Sequence, residues 1–325
     1  MIRKKRVSNP SFAEQLAKVP EVETLIAFRD RSASVAVKTI PTGCPGIDVA
    51  IGRGGWPLRR LSVLWGMEGA GKTTLALHSI TEAQRRGART LYMDVEYKME
   101  PPYASALGVD MDRVILCYPL HVEACFALMK EAIRLVGGEE MLIVVDSISS
   151  LPPKGELEAI AEGDPIKPGS QALAFSVEMR NFIAALGKSN AAVVFISQTR
   201  VKFGSKFDQI TSGNAIRFYA SLMVKLRHLG SEDRQRSTEI EAAITKNSIA
   251  VPFRRADYTI RYGKGIDQRE SLVKAGLESG VIELSGGWYV YKGEKWHGLE
   301  KFAGTLEKNP EFERDLRADI YGRMP

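Results

Sequence analysis

Residues Gly66-Met67-Glu68-Gly69-Ala70-Gly71-Lys72-Thr73 set three glycines ahead of a lysine and a hydroxyl, between an apolar run (Leu61 to Trp65) and a helical run from Thr74 onward. That order suits an anion. Glycines let the chain fold around a phosphate, backbone N–H groups and a helix start point at it, the lysine reaches the outer phosphates and the hydroxyl binds Mg²⁺. Gly66, Glu68, Gly69, Ala70, Gly71, Lys72, Thr73 and Thr74 are therefore the candidate nucleotide-binding residues. Two carboxylates stand where open parallel sheets present their ligands, at strand C-terminal ends. Asp146 closes the run Met141 to Val145 and suits a Mg²⁺ held through water; Glu96 follows Leu91-Tyr92-Met93-Asp94-Val95 and suits positioning and deprotonating an attacking water. On spacing alone both keep a plainer reading, since apolar strands often end in Asp and a glutamate there also serves as a helix cap or a solvated side chain.

Strand-like and helical runs alternate from about residue 38 to 263: LSVLWG then TTLALHSITEAQRRG, RTLYMDVE, RVILCYP then VEACFALMKEAIRLV, MLIVVDS, VEMRNFIAALGKS, AAVVFISQ. Such alternation predicts an α/β fold, a mostly parallel sheet covered by helices on both faces. Residues 1–37 read as an N-terminal arm with helical stretches interrupted at Pro20, and 264–325 as a small mixed segment followed by a polar helical tail. The 325 residues fit about two domains. With 44% hydrophobic and 26% charged residues, a disordered or collagenous chain is excluded. Cys44, Cys117 and Cys125 form no CxxC pair, against both a disulfide framework and a zinc site. Arg3-Lys4-Lys5-Arg6 is followed by polar Ser8-Asn9-Pro10 rather than an apolar signal core, and the apolar runs are far shorter than the roughly 20 residues of a membrane span. The expected setting is the cytoplasm, with no membrane partner. A net charge of +6 permits polyanionic partners without demanding them.

Beyond the phosphate loop, the stretches Asp94-Val95-Glu96 with Pro102-Tyr103 and Leu107-Gly108-Val109-Asp110, Val144 to Ser147, Phe195 to Arg200, Gly213 to Ser221 and Trp288 to Glu294 follow one another in a familiar order. In these the chain resembles the bacterial RecA recombinases over nearly its whole length. The resemblance implies a RecA-type P-loop ATPase core at 38–263, a polymerisation arm at 1–37 with Val35, Ala36 and Val37 as an added strand, and a small α+β domain at 264–325 that gathers duplex DNA. ATP and Mg²⁺ are the implied ligands. It makes Glu96 the catalytic glutamate, Tyr103 the residue that packs on adenine, and Gln198 the sensor of the terminal phosphate. Lys246 matches the first of two lysines that reach a neighbouring subunit's ATP; the second position is Ser248, so one such cation is missing and transition-state stabilisation should weaken, unless another cation such as Arg254 substitutes.

Between Gln198 and Phe218, basic residues, glycines and aromatics interleave: Arg200, Lys202 and Lys206 suit phosphates and Phe207 suits stacking on bases. Composition alone equally fits a solvated surface loop. The resemblance makes this stretch the second DNA loop, with Gly213, Asn214 and Arg217 at its end, about three residues shorter than usual. It puts the first DNA loop in Glu156 to Gly169, where Pro165-Ile166-Lys167-Pro168 departs from the family's usual run, Ile166 being the candidate to insert between bases or simply to pack the loop. Ser176 and Arg180 on the next helix look like backbone contacts. Lys292, Lys295 and Lys301 are the candidates for gathering duplex, while Trp288, Tyr289, Tyr291 and Trp296 read as that segment's own core. Arg314 to Pro325 carries no acidic block of the kind that restrains duplex access, so duplex DNA is expected to enter readily.

Taken together, the expectation is an ATP-dependent strand-exchange recombinase, a DNA-dependent ATPase that forms a helical homo-oligomer on single-stranded DNA and pairs it with homologous duplex. Single-strand-binding and loader proteins are further implied partners. Two alternatives remain at this point: an accessory filament protein with weak ATPase activity that regulates another recombinase, and a ring-forming helicase motor.

Overall fold

Apolar β-branched runs that alternate with amphipathic ones can bury both faces only as sheet strands between helical layers. The computed structural model describes residues 37–200, 209–210, 213–230 and 235–324, and the runs take these positions. In chain order the elements of the core are β1 (Thr39–Ile40), α1 (Pro45–Ile51), β2 (Trp56–Pro57), β3 (Arg60–Gly66), α2 (Lys72–Arg85), β4 (Arg89–Asp94), α3 (Pro101–Ala106), β5 (Val114–Cys117), α4 (Val122–Val136) and β6 (Met141–Asp146). There follow α5 (Lys154–Glu162), α6 (Ser170–Gly187), β7 (Ala191–Arg200), β8 (Gln209–Ile210), α7 (Gly213–Tyr219), β9 (Leu222–Gly230), β10 (Ser237–Asn247), β11 (Arg255–Arg261) and β12 (Gly265–Ile266).

The large sheet has the order β12-β11-β10-β9-β3-β7-β6-β4-β5, with β8 paired to the end of β7. From β9 through β5 all pairs are parallel, and from β9 to β12 all are antiparallel. Alternate strand residues serve opposite faces. Leu64, Tyr92, Val144 and Val194 face the layer holding α1 and α2, whereas Val63, Met93, Val145 and Phe195 face the layer of α4 and α6. On that second face Phe126 is ringed edge-on by Phe175, Phe182 and Phe195. The register decides where chemistry can occur: Gly66 lies opposite Gln198, and Asp94 opposite Asp146, so the parallel strands end together.

The C-terminal segment consists of α8 (Gln268–Glu278), a three-stranded antiparallel sheet of β13 (Glu283–Ser285), β14 (Trp288–Tyr291) and β15 (Glu294–His297), then α9 (Leu299–Lys308) and α10 (Pro310–Gly322). Its own apolar cluster includes Leu272, Tyr291, Phe302, Leu316 and Ile320, and takes in Val49 from α1. Trp296 stacks on Phe302, and Tyr289 and Tyr291 pack on Phe302 and Phe312. Trp288 differs from the core expectation: it is 45% exposed, because β14 alternates and points this ring, beside His297, to the outer face.

Three boundaries move. β12 pairs with β11, so the large sheet runs past residue 263. α6 begins at Ser170, seven residues before the helical run at Val177, with Gly169 in the left-handed region (φ 83°) turning the chain into it. Lys154–Glu162 is helical, which confines the expected first DNA loop to residues 163–169. Of the arm expected at 1–37, residues 1–36 lie outside the described residues, and Val37 packs against the core.

Candidate nucleotide site

β3 ends at Gly66 and α2 starts at Lys72, and the turn between them needs glycine at both ends. Gly66 has φ 155° and a methyl there would press on the carbonyl oxygen of Leu226 in β9; Gly71 caps α2 with φ 78°. Backbone N–H groups at the start of α2 have no intrahelical partner and face the turn. The Lys72 ammonium donates to the carbonyls of Gly66 at 3.1 Å and Met67 at 2.7 Å. Burial lowers its pKa, and Asp146, Glu68 and Glu96 oppose this.

Beside the loop, Thr73 Oγ1 donates to Asp146 Oδ2 at 2.7 Å, and the Tyr92 hydroxyl donates to the same oxygen at 2.8 Å. Burial raises the Asp146 pKa, with those two hydrogen bonds working against it. Asp94 accepts the backbone N–H groups of Lys98 and Met99, pinning the turn after β4. That turn presents Glu96. Its Oε1 accepts from Ser147 Oγ at 2.9 Å, Ser150 Oγ at 2.8 Å and Gln198 Nε2 at 3.0 Å, and its Oε2 pairs with Lys98 Nζ at 2.6 Å. Burial alone would raise the Glu96 pKa, but the hydrogen bonds from Lys98, Ser150 and Ser147 outweigh it and hold the carboxyl below its ordinary value.

These groups line one cavity of about 270 Å³, which takes in Glu68, Lys72, Thr73, Glu96, Asp146 and Gln198. A wider groove of about 1540 Å³ between α8, α9 and β11 carries interspersed charges of both signs, such as Arg261, Asp267, Arg269 and Glu307, and none of the phosphate-loop features.

The other expected residues are distributed as follows. The Tyr103 hydroxyl, on α3, bonds Thr74 Oγ1 at 2.9 Å. Lys246 donates to the carbonyls of Arg217 and Phe218 at the end of α7, outside the cavity lining, with Ser248 exposed nearby in sequence. Arg254 bonds the carbonyl of Val49. Ile166 is 50% exposed in loop 163–169, Ser176 bonds back to Ala172, and Arg180 and Arg217 are exposed. Lys292 is held by Asp319 at 3.1 Å, so its charge is already partly met, whereas Lys295 and Lys301 are exposed. Lys202, Lys206 and Phe207 lie outside the described residues; Arg200, Gly213 and Asn214 fall in β7 and α7. The sequence reading passed over Tyr92, Lys98 and Ser150. Lys98 and Glu96 lie two apart in the turn after β4, where the two-residue period of a strand no longer says that they share a face.

A family model described as the RecA N-terminal domain matches residues 13–267. "Protein RecA" of Brucella anthropi is 36% identical over 293 residues, covering 88% of this chain and 80% of the relative. The protein of that name from Cereibacter sphaeroides (strain ATCC 17023) is 37% identical over 296 residues, 89% and 85% of the two chains. The chain belongs to the RecA family.

RecA-family membership carries with it ATP-dependent DNA strand exchange in recombination and repair, DNA-dependent hydrolysis of ATP with Mg²⁺, and helical filaments on single-stranded DNA that pair with homologous duplex. It bears out the recombinase reading, and with it the family's cytoplasmic setting. No described helix is long and apolar enough to cross a membrane.

Proposed function

We propose that this RecA-family protein hydrolyses ATP in the cavity between Lys72 and Glu96, and that the loop leaving β7 reports the state of that cavity to DNA. The observation that carries the reading is the double use of Glu96 Oε1, shared by Ser147 and Ser150 on one side and Gln198 on the other. Lys72 and the loop N–H groups bind the outer phosphates. Thr73 Oγ1 and Asp146 Oδ2 are hard oxygen donors of the kind Mg²⁺ takes, and with no cluster of three or more His, Cys, Asp or Glu among the described residues, phosphate and water oxygens would complete its shell. When bound, Mg²⁺ neutralises charge developing on the phosphates.

Glu96 orients the attacking water and accepts its proton, which a carboxylate kept ionised by its donors is suited to do. Gln198 ties Glu96 to β7, whose next residues, Thr199 and Arg200, pair with β8. Movement of the Gln198 amide between Glu96 and the terminal phosphate would therefore pull on the segment expected to hold DNA. Tyr103 would pack on adenine, and Lys246 would serve a neighbouring subunit. Ile166, Ser176, Arg180, Arg200, Lys202, Lys206, Phe207, Gly213, Asn214 and Arg217 would meet single-stranded DNA. Lys295 and Lys301, with Lys292 in a lesser part, would gather duplex from residues 264–325.

Negative-stain electron microscopy with single-stranded DNA and a slowly hydrolysed ATP analogue tests this, followed by hydrolysis assays with and without DNA. The expected result is open helical filaments with DNA-stimulated turnover. Filaments without hydrolysis would favour the accessory role, and closed rings would refute the filament altogether.

A further inference from the structure

A triphosphate carries on the order of four negative charges into a cavity lined by Glu68, Asp94, Glu96 and Asp146. Among the described residues only two cations line it, Lys72 and Lys98. Lys72 is buried and bound to loop carbonyls. Lys98 is different. Its backbone is fixed by the bond from its N–H to Asp94, yet its side chain is 65% exposed and free to re-aim. Its ammonium takes Glu96 Oε2, the oxygen that Ser147, Ser150 and Gln198 leave to it, so Lys98 competes with a water for that oxygen.

We propose that Lys98 is a latch shared between Glu96 and the third phosphate of ATP: the phosphate draws the ammonium off the carboxylate, which both adds a cation at the terminal phosphate and frees Glu96 to take water. At equal distance a phosphate bearing about two charges attracts an ammonium about twice as strongly as a carboxylate does. If Glu96 directs the attack on the third phosphate, a cation bonded to Glu96 lies on the side of that phosphate, and the latch then separates ATP from ADP. The proposal rests on the assignment of Glu96 made above.

The test is equilibrium binding of the non-hydrolysable imido analogue of ATP and of ADP to the full chain with Mg²⁺, for wild type, Lys98→Gln and Lys98→Arg. Lys98→Gln should weaken the analogue about tenfold, the equivalent of about 1.4 kcal/mol, and ADP less than about twofold. Lys98→Arg should restore most of the difference. Retained ADP binding shows that the variant is folded. Equal weakening of both nucleotides, or no weakening of either, would overturn the latch. Loss of the Glu96 assignment is read separately, as continued hydrolysis by Glu96→Gln, so the two failures are distinguishable.

Discussion

Gly66 shows how little freedom the phosphate loop has. Its φ of 155° and the nearby Leu226 carbonyl leave no room for a side chain, and the obstacle is backbone in a paired strand, which cannot swing aside. Gly66→Ala should cost on the order of 2–4 kcal/mol, read as a fall in thermal stability together with loss of nucleotide binding; a variant with unchanged melting would contradict the close approach. At Lys72 the expectation is simpler. Lys72→Ala should abolish turnover while the fold persists, since its ammonium bonds only loop carbonyls, and a steady-state assay with a circular dichroism control measures both. The loop was legible because its residues are contiguous and bracketed by a strand and a helix. The cage around Glu96 was only half legible: Glu96 came from its place at a strand's end and was strengthened by the resemblance, Gln198 came from the resemblance alone, whereas Ser150 and Lys98 sit in irregular turns where no period says which way a side chain points.

Among the elements, α2 is tied to the far edge of the sheet through His78. Its Nε2 accepts the N–H of Ile266 in β12 at 2.9 Å, which requires the unprotonated ring. Burial, with a further contribution from Arg85, lowers its pKa from the usual 6.5 to about 4. A base depressed in the folded state binds its proton more readily when unfolded. Its contribution, on the order of 3 kcal/mol, is therefore full above about pH 6.5 and lost as pH falls toward 4. The stability gap between wild type and His78→Gln, from urea unfolding, should shrink as pH falls from 7 to 4.5, and a constant gap would count against this bond. The C-terminal helix α10 is held in a related way: the Tyr321 hydroxyl donates to the fully buried Asp48 of α1, which also accepts the Thr42 N–H. Tyr321→Phe leaves that carboxylate short of a donor and should cost about 1–3 kcal/mol in the same assay. Neither tie could be read beforehand, because each joins residues nearly two hundred or more positions apart with no shared motif. The parallel strands β3 to β7 and the helices α2, α4 and most of α6 were readable from period, whereas β9 to β12 and the shorter helices α1, α3, α5 and α7 were not read from the sequence. The segment expected as the first DNA loop was drawn too broadly: Pro152-Pro153 before and Gly163 after Lys154–Glu162 are start and stop signals of a helix that the reading did not use.

At the scale of the whole molecule, ATP sits in an assembly that repeats. Lys246 is held at the end of α7 and stands outside the cavity of its own chain, as a residue serving a neighbour would. Phe218, beside it, is 80% exposed. Ser248, exposed and with its N–H bonded to the Ser221 carbonyl, provides no charge there. Ser248→Lys should raise the DNA-stimulated rate, and an unchanged rate would mean that another cation already fills the place. Glu96, bonded to Gln198, links the nucleotide cavity to β7. The most direct measurement is ATP hydrolysis by wild type and Glu96→Gln, with and without single-stranded DNA, on samples checked for filaments. Wild type is expected to show DNA-stimulated turnover, and Glu96→Gln intact filaments with a rate at least about a hundredfold lower; hydrolysis at the wild-type rate by the variant would remove Glu96 from the reaction.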